Sequence, residues 1–216
     1  MLILYAVPHS LYCAKTRILL RAKGLEWEER MPADDRVGFA AASPFGNLPA
    51  IVDGDFGLSD SEAIAEYIEE VFPSVATLPL DVRGRARMRE RARFHDTRLE
   101  PAVRALFPLV AAPDAAKATH ATAAISARLA QLAELLVHPL PFGLGDCGFA
   151  PTFLWIDLLT ADSGLTPDWP DAVRTYRKAL EALPCVTEEL AAYRPAALEW
   201  LIDKQMLRAR LAAAGG

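Results

Sequence analysis

The chain has 216 residues, of which 52% are hydrophobic and 24% are charged, and its formal net charge is -5. This length fits one large domain or two modest ones, and the composition excludes a disordered, coiled-coil or disulfide-rich chain. The negative charge gives no general attraction to polyanions, so we expect no nucleic-acid partner.

The three cysteines are odd in number and far apart, which fits neither a disulfide framework nor a paired-cysteine zinc site. They are Cys13, Cys147 and Cys185. The first residues lack a basic segment followed by a long apolar run, and no stretch approaches 18 uninterrupted apolar residues. We therefore expect a cytoplasmic protein without a metal ion or a membrane partner.

An arginine stands at every second position from residue 83 to residue 93. On a helix each two-residue step turns the side chain by about 200°, so these arginines divide into two opposed arcs. We expect a solvated helix with acidic neighbours. A basic patch that attracts an anionic ligand is the alternative.

The start of the chain predicts a strand, a helix and a second strand. Residues 2–6 are a short apolar run, and the following segment has apolar side chains at helical spacing between Ser10, a suitable N-cap, and Gly24, a suitable stop. Residues 25–31 have the pattern of an extended segment. Together they predict a β-α-β unit with parallel strands.

A hairpin and a helix are predicted next. Residues 49–52 and 57–58 flank an Asp-Gly turn, which indicates two antiparallel strands. Residues 59–71 have helical spacing, and Ser59 with Glu62 has the spacing of a capping box. The stretch between the second strand and this hairpin shows no clear pattern.

A linker and a helical remainder follow. Residues 72–80 contain two prolines and have no period, and strand patterns stop there. Helical spacing recurs over residues 81–111, 114–138 and 152–163 and in shorter pieces over 171–206, with interruptions expected at Pro101 and Pro108 and a loop at 139–151. We expect one domain at residues 1–72, a linker at 73–80 and an all-helical domain at 81–216.

Three segments resemble motifs of the cytosolic glutathione transferases, whose first domain is thioredoxin-like. Ser10-Leu-Tyr-Cys13 is similar to the S-x-x-C segment, Phe45-Gly-Asn-Leu-Pro49 to the G-x-V-P segment, and Leu58-Ser-Asp-Ser-Glu-Ala-Ile64 to the L-x-E-S-x-A-I segment. With the helical remainder, the resemblance spans nearly the whole chain and is nearest to serine-type bacterial and tau-like members. It implies a thioredoxin-like α/β domain (β-α-β, β-β-α) followed by an all-α domain.

The chain departs from the family pattern at three positions. Asp60 stands where glutamate is commoner, Leu11 replaces a frequent proline, and Trp155 stands where an aspartate would complete a Ser/Thr-x-x-Asp cap beginning at Thr152. Asp60 keeps the carboxylate, so its binding role is carried over. Thr152 is expected to cap its helix alone.

The resemblance implies a glutathione site in which Ser10, in place of a cysteine, faces the thiol and favours the thiolate. Pro49 holds the position of the family's cis-proline, which turns the backbone of Leu48 toward the cysteinyl part of the ligand. Asp60 and Ser61, at a helix start, would hold the γ-glutamyl amine and carboxylate. The alternative is that these polar residues only cap their helices.

Cys13 holds the resolving position of thioredoxin-like proteins, but the partner thiol is absent. We expect inert packing for Cys13, with a reactive thiol as the alternative. Tyr5 is expected in the strand core without a catalytic role. Position alone suggests an electrophile pocket made of His9, Leu11, Tyr12, Arg98, Arg104 and Phe107.

The resemblance implies a homodimeric glutathione transferase, of the kind used in detoxification, that joins the glutathione thiolate to a small apolar electrophile. Glutathione is then a co-substrate, and no metal is needed. Glutathione-dependent reduction or isomerisation and a noncatalytic protein-interaction module are the alternatives. Ser10 in place of a cysteine disfavours disulfide reduction.

Overall fold

The N-terminal part of the protein is a four-stranded sheet with the strand order β2-β1-β3-β4. The structure, a computed structural model, describes residues 1–214, with side-chain surroundings described through residue 209. The strands are β1 (Leu2–Tyr5), β2 (Trp27–Arg30), β3 (Ala50–Asp53) and β4 (Phe56–Ser59). β1 pairs parallel with β2 and antiparallel with β3, which pairs antiparallel with β4. The predicted β-α-β unit and hairpin are confirmed.

Three helices accompany the sheet: α1 (Leu11–Ala22), α2 (Arg36–Ala42) and α3 (Ser61–Val71). Helix α2 lies in the stretch that showed no pattern. It buries only Ala42, so it needs no amphipathic spacing, and Asp35 fixes its start by accepting hydrogen bonds from Gly38 N–H and the Tyr5 hydroxyl. A side chain on Gly38 would meet that hydroxyl, so the contact requires glycine.

The predicted capping box of α3 is wrong by one residue. Ser59 ends β4, and the N-cap is Asp60. The reason is the tight passage from strand to helix, which places Asp60 at φ 83°, a region that residues other than glycine seldom adopt.

The rest of the described chain is helical. Its elements are α4 (Val82–Phe94), a π-helical turn (His95–Leu99), α5 (Glu100–Arg104), α6 (Phe107–Ala111), α7 (Ala115–Leu136), a 3-10 turn (Leu144–Asp146), α8 (Phe149–Ser163), α9 (Asp171–Glu181) and α10 (Pro184–Ala214). Pro101 and Pro108 lie in the first turns of α5 and α6, where a helix tolerates proline because the N–H groups of the first turn have no partner within the helix. Helix α8 begins inside the predicted loop, and α10 is one helix where shorter pieces were predicted.

Helix α1 joins the two parts of the molecule. Leu11 and Ala14 pack into a core formed with the later helices, whereas Cys13 and Ile18 pack into the core beneath the sheet. Burial on both sides holds the start of α1 at the boundary between the parts. None of the helices in residues 1–214 has both the length and the apolar character needed to cross a membrane.

The arginine-rich segment forms α4, but it is not solvated throughout. Arg91 is 4% exposed and pairs with the buried Asp146 at 2.7 Å. Arg89 pairs with Glu66 on α3. The expectation of a solvated helix is therefore wrong for Arg91, because one arc of α4 packs against the 3-10 turn.

Candidate functional site

A cleft of about 350 Å³ lies where the segment before β3, the start of α3 and the end of α4 meet. Its lining residues are Tyr12, Asn47, Leu48, Asp60, Ser61, Arg93, Asp96 and Thr97. Three residues predicted for a glutathione site, Leu48, Asp60 and Ser61, are thus brought together. Ser10 is not in the lining, although Tyr12, two residues further along α1, is.

The Leu48 backbone forms one wall of the cleft. The Leu48–Pro49 peptide bond is cis, and β3 begins at the next residue, Ala50. Among the described residues, the Leu48 N–H and C=O have no hydrogen-bond partner. These two groups are free to pair with an extended ligand as a neighbouring strand would.

The start of α3 forms another wall of the cleft. The Asp60 Oδ1 accepts hydrogen bonds from the N–H groups of Glu62 and Ala63 at 3.0 and 3.1 Å, which leaves the second carboxylate oxygen for a ligand. Ser61 is the first residue of the helix and is nearly buried. Capping and ligand binding are therefore compatible at Asp60, and the Ser61 N–H, which has no hydrogen-bond partner among the described residues, favours an anion.

Ser10 is the N-cap of α1, as predicted. Its Oγ accepts a long hydrogen bond of 3.4 Å from the Cys13 N–H, so its own hydroxyl proton remains available for donation. Cys13 is fully buried, and burial raises the pKa of its thiol despite the nearby Ser10 hydroxyl. These surroundings favour inert packing of Cys13.

Arg93, Asp96 and Thr97 contribute a cleft wall that the sequence analysis missed. Spacings of three and four residues place them on one helical face, and the Thr97 hydroxyl donates to the Arg93 C=O at 2.6 Å. That spacing is visible in the sequence, but the sequence does not show which part of the sheet domain this face meets. Arg93 forms no ion pair with any side chain described up to residue 209, so it can receive a carboxylate.

A buried charge network supports this wall. The Lys15 ammonium contacts Glu62 at 2.7 Å and Asp96 at 2.8 Å, and the Lys15 side chain is 3% exposed. Burial acts to raise the pKa of Asp96, but hydrogen bonding from His95 and the charge of Lys15 outweigh it and lower the pKa to about 2. Asp96 thus keeps a negative charge beside the cleft.

The network continues to α8 through His95. The two ring nitrogens of His95 contact Asp96 and Thr152, each at 2.7 Å. Thr152 lies inside α8 and bonds to the Gly148 C=O, so the expectation that it caps this helix is wrong. A side chain on Gly148 would meet the His95 ring, so the absence of a Cβ there makes room for the histidine.

Three further candidate residues lie either in the core or in the cleft wall. Tyr5 is 1% exposed and donates to Asp35 at 2.6 Å, which confirms its place in the core. Leu11 is buried against the later helices and is unavailable to an electrophile pocket. Tyr12 lines the cleft, and burial together with the charges of Glu100 and Asp96 raises the pKa of its hydroxyl.

Comparison with known proteins connects this cleft to a family. The model of the glutathione S-transferase N-terminal domain matches residues 4–76. Glutathione S-transferase Z1 of Arabidopsis thaliana is 37% identical over 89 residues, which are 38% of this chain and 40% of that protein. A stringent starvation protein A homolog of Pasteurella multocida (strain Pm70) is 29% identical over 164 residues, 70% of this chain and 73% of that protein.

The solved structure of glutathione transferase Omega 3C from Trametes versicolor superimposes with a TM-score of 0.77 at 25% identity, covering 87% of this chain and 88% of that one. The N-terminal domain of this chain belongs to the glutathione S-transferase family, and the chain as a whole has the fold of the glutathione transferases. Membership in this family confirms the predicted fold class, a thioredoxin-like domain followed by helices. The matched segment spans less than half of the Arabidopsis transferase, so membership does not by itself assign this family member a reaction.

Proposed function

We propose that this protein is a glutathione transferase that joins the thiolate of glutathione to a small electrophile with an apolar body. The observation that carries the proposal is the grouping of the Leu48 backbone, Asp60 and Ser61 around one cleft. Glutathione offers two carboxylates, an amine, two peptide groups and a thiol. The cleft offers a complementary group for each end and unpaired backbone groups between them.

Each part of the ligand has a proposed partner. The hydroxyl and the free N–H of Ser61, at the start of α3, hold the γ-glutamyl carboxylate, and the free oxygen of Asp60 receives the amine. Leu48, followed by Pro49, pairs with the cysteinyl segment. Arg93 supplies a cation for a carboxylate, and Ser10 donates to the sulfur.

A noncatalytic role as a protein-interaction module is the second candidate. It is favoured by one comparison, because the match to the stringent starvation protein A homolog extends over 73% of that protein, further than the match to the Arabidopsis transferase. The two candidates differ in a measurable property. A transferase must bind glutathione and turn it over, whereas a scaffold needs neither.

Titration of glutathione by calorimetry tests the proposal. We expect binding by the parent protein, weakened about tenfold or more by Asp60→Asn and by Ser61→Ala, because each removes a charge-assisted contact worth about 1.5–3 kcal/mol. Asp114→Asn is the matched control, since Asp114 caps α7 in the same way without lining the cleft. No binding by the parent at millimolar glutathione would favour the scaffold.

Product analysis separates the possible reactions. Loss of a chloronitrobenzene with formation of its glutathione conjugate supports transfer, and reduction of hydroxyethyl disulfide without conjugation supports a reductase. Retained binding in folded Asp60→Asn and Ser61→Ala would place the ligand elsewhere. The homodimer implied by the family stays a proposal that light scattering can test.

A further inference from the structure

Two cations and two aromatic rings form a continuous row across α5, α6 and α10. The Arg104 guanidinium lies 5.9 Å from the centre of the Phe107 ring, and the Phe107 and Trp200 ring centres are 5.1 Å apart. The Lys204 ammonium lies 5.5 Å from the centre of the Trp200 ring. We name Arg104, Phe107, Trp200 and Lys204 the basic aromatic row.

The basic aromatic row borders the loop that leads to Ser10. The Tyr193 hydroxyl donates to the His9 C=O at 3.0 Å, which holds α10 against this loop. Tyr193, Trp200 and Lys204 follow one another at spacings of seven and four residues and so share one face of α10. Partial burial and the charge of Lys204 lower the pKa of His9 in this loop.

The other end of the row meets the cleft through α5. Arg104 pairs with the buried Glu100, and the charges of both residues act on the Tyr12 hydroxyl that lines the cleft. The Arg104 side chain is still 57% exposed, and Lys204 makes no ion pair with any side chain described up to residue 209. Both cations can therefore accept an anion from outside.

We propose that the electrophile carries a carboxylate, which Lys204 and Arg104 bind while Phe107 and Trp200 contact its unsaturated or aromatic body. This inference rests on the proposed transferase function. A purely apolar electrophile would use the rings and leave Lys204, which has no ion pair with the described side chains, without a role. Cations beside aromatic faces fit a planar body with an anionic substituent.

Two matched electrophiles test the charge preference. In 4-chloro-3-nitrobenzoate and its neutral amide, the glutathione thiolate forms a bond to the carbon that bears chlorine, chloride leaves with the bonding electrons, and the thiol proton goes to solvent. After division by the uncatalysed rates, kcat/KM should favour the carboxylate about tenfold. Conjugation of the amide at an equal or higher ratio overturns the inference and leaves the transferase function intact.

Lys204→Gln is the decisive variant. We expect it to reduce the preference for the carboxylate, measured as the ratio of the two kcat/KM values, about fivefold. Lys204 is a better target than Arg104, because removal of Arg104 would leave the buried Glu100 charge without its partner. Lys178→Gln, an exposed lysine on α9, is the control and should leave the preference unaltered. An unchanged preference in Lys204→Gln contradicts the assignment.

Binding of the two finished conjugates tests the row even without turnover. The carboxylate-bearing glutathione conjugate should bind the parent about tenfold more tightly than the amide conjugate, and Lys204→Gln should remove most of the difference. Tighter binding of the carboxylate conjugate without turnover supports the row and contradicts the transferase function. Equal binding of both conjugates overturns the row.

Discussion

Ser10 combines a structural and a proposed chemical task in one hydroxyl. It accepts from the Cys13 N–H and can donate to a sulfur on its other side. Lowering a thiol pKa from about 8.5 to about 6.5 raises the ionised fraction at pH 7 about 25-fold. Intrinsic nucleophilicity falls about eightfold over the same range, so the net gain is about threefold. Most acceleration must then come from alignment of the electrophile.

Replacement of Ser10 by alanine should separate binding from ionisation. Leu48, Asp60 and Ser61 remain to hold glutathione, so its affinity should change by less than about tenfold. The pKa of the bound thiol, followed by thiolate absorbance in the ultraviolet, should rise by about 1 to 2 pH units. Loss of the cap should also destabilise α1 by about 1 kcal/mol.

Ser10→Thr is the matched control, because it keeps a hydroxyl and much of the capping ability. Its bound thiol should show a smaller rise in pKa than that of Ser10→Ala at comparable thermal stability. If the thiol bound to the parent protein already titrates like free glutathione, Ser10 does not favour the thiolate.

Four elements meet in the charge network around Lys15. Lys15 lies on α1, Glu62 on α3, Asp96 and His95 on the π-helical turn, and Thr152 on α8. The members of this network pair with one another, so contacts behind the cleft hold the cleft wall in place. Because the pKa of Asp96 is lowered to about 2, its ionised form stabilises the folded protein. This contribution is fully present above the pKa of the carboxyl in the unfolded chain, and it is lost as the pH falls toward 2.

A double-mutant cycle tests whether this network acts as a unit. Asp96→Asn leaves the buried Lys15 charge with Glu62 alone, and the free energy of unfolding should fall by about 3 kcal/mol. In a cycle with Lys15→Met, the double variant should lose less stability in urea unfolding than the two single losses added together, because each single variant already breaks the Lys15–Asp96 pair. Simple addition of the two single effects would show that Lys15 and Asp96 contribute independently.

Elements with local signals were predictable from the sequence. The caps of α1 and the turn of the β3-β4 hairpin depend on neighbouring residues, and both were found. Helix α2 was missed because it buries one residue and so has no hydrophobic period. Arg93, Asp96 and Thr97 share a visible helical face, but their role depends on packing between distant segments, as does the burial of Arg91. Only the tertiary structure brings Arg93, Asp96 and Thr97 to the cleft.

At the scale of the whole molecule, charged groups connect α1 to α10. Glu189 of α10 is 1% exposed and contacts Arg17 and Arg21 of α1 at 3.2 and 3.3 Å. Arg17 also pairs with Glu29 on β2 at 2.7 Å, and Glu188 reaches Arg21 from the surface. Burial outweighs the attraction of both arginines and raises the pKa of Glu189 to about 7.

The raised pKa of Glu189 predicts that the protein loses stability as the pH rises. The folded state keeps the Glu189 proton that the unfolded chain releases near pH 4.5. The stability that this bound proton contributes is therefore complete below pH 4.5 and is lost as the pH rises to about 7. Glu189→Gln has no proton to lose. In urea unfolding it should match the parent near pH 5 and exceed it by about 1–3 kcal/mol at pH 8.

Glu188→Gln is the matched control for this prediction, because Glu188 contacts the same Arg21 but its side chain is 69% exposed. Its stability relative to the parent should not depend on pH between 5 and 8, since an exposed pair contributes at most about 1 kcal/mol. The opposite trend, with Glu189→Gln losing stability relative to the parent as the pH rises, would mean that pairing with Arg17 and Arg21 outweighs burial. The ionised carboxylate would then join α10 to α1, and the interface would strengthen at alkaline pH.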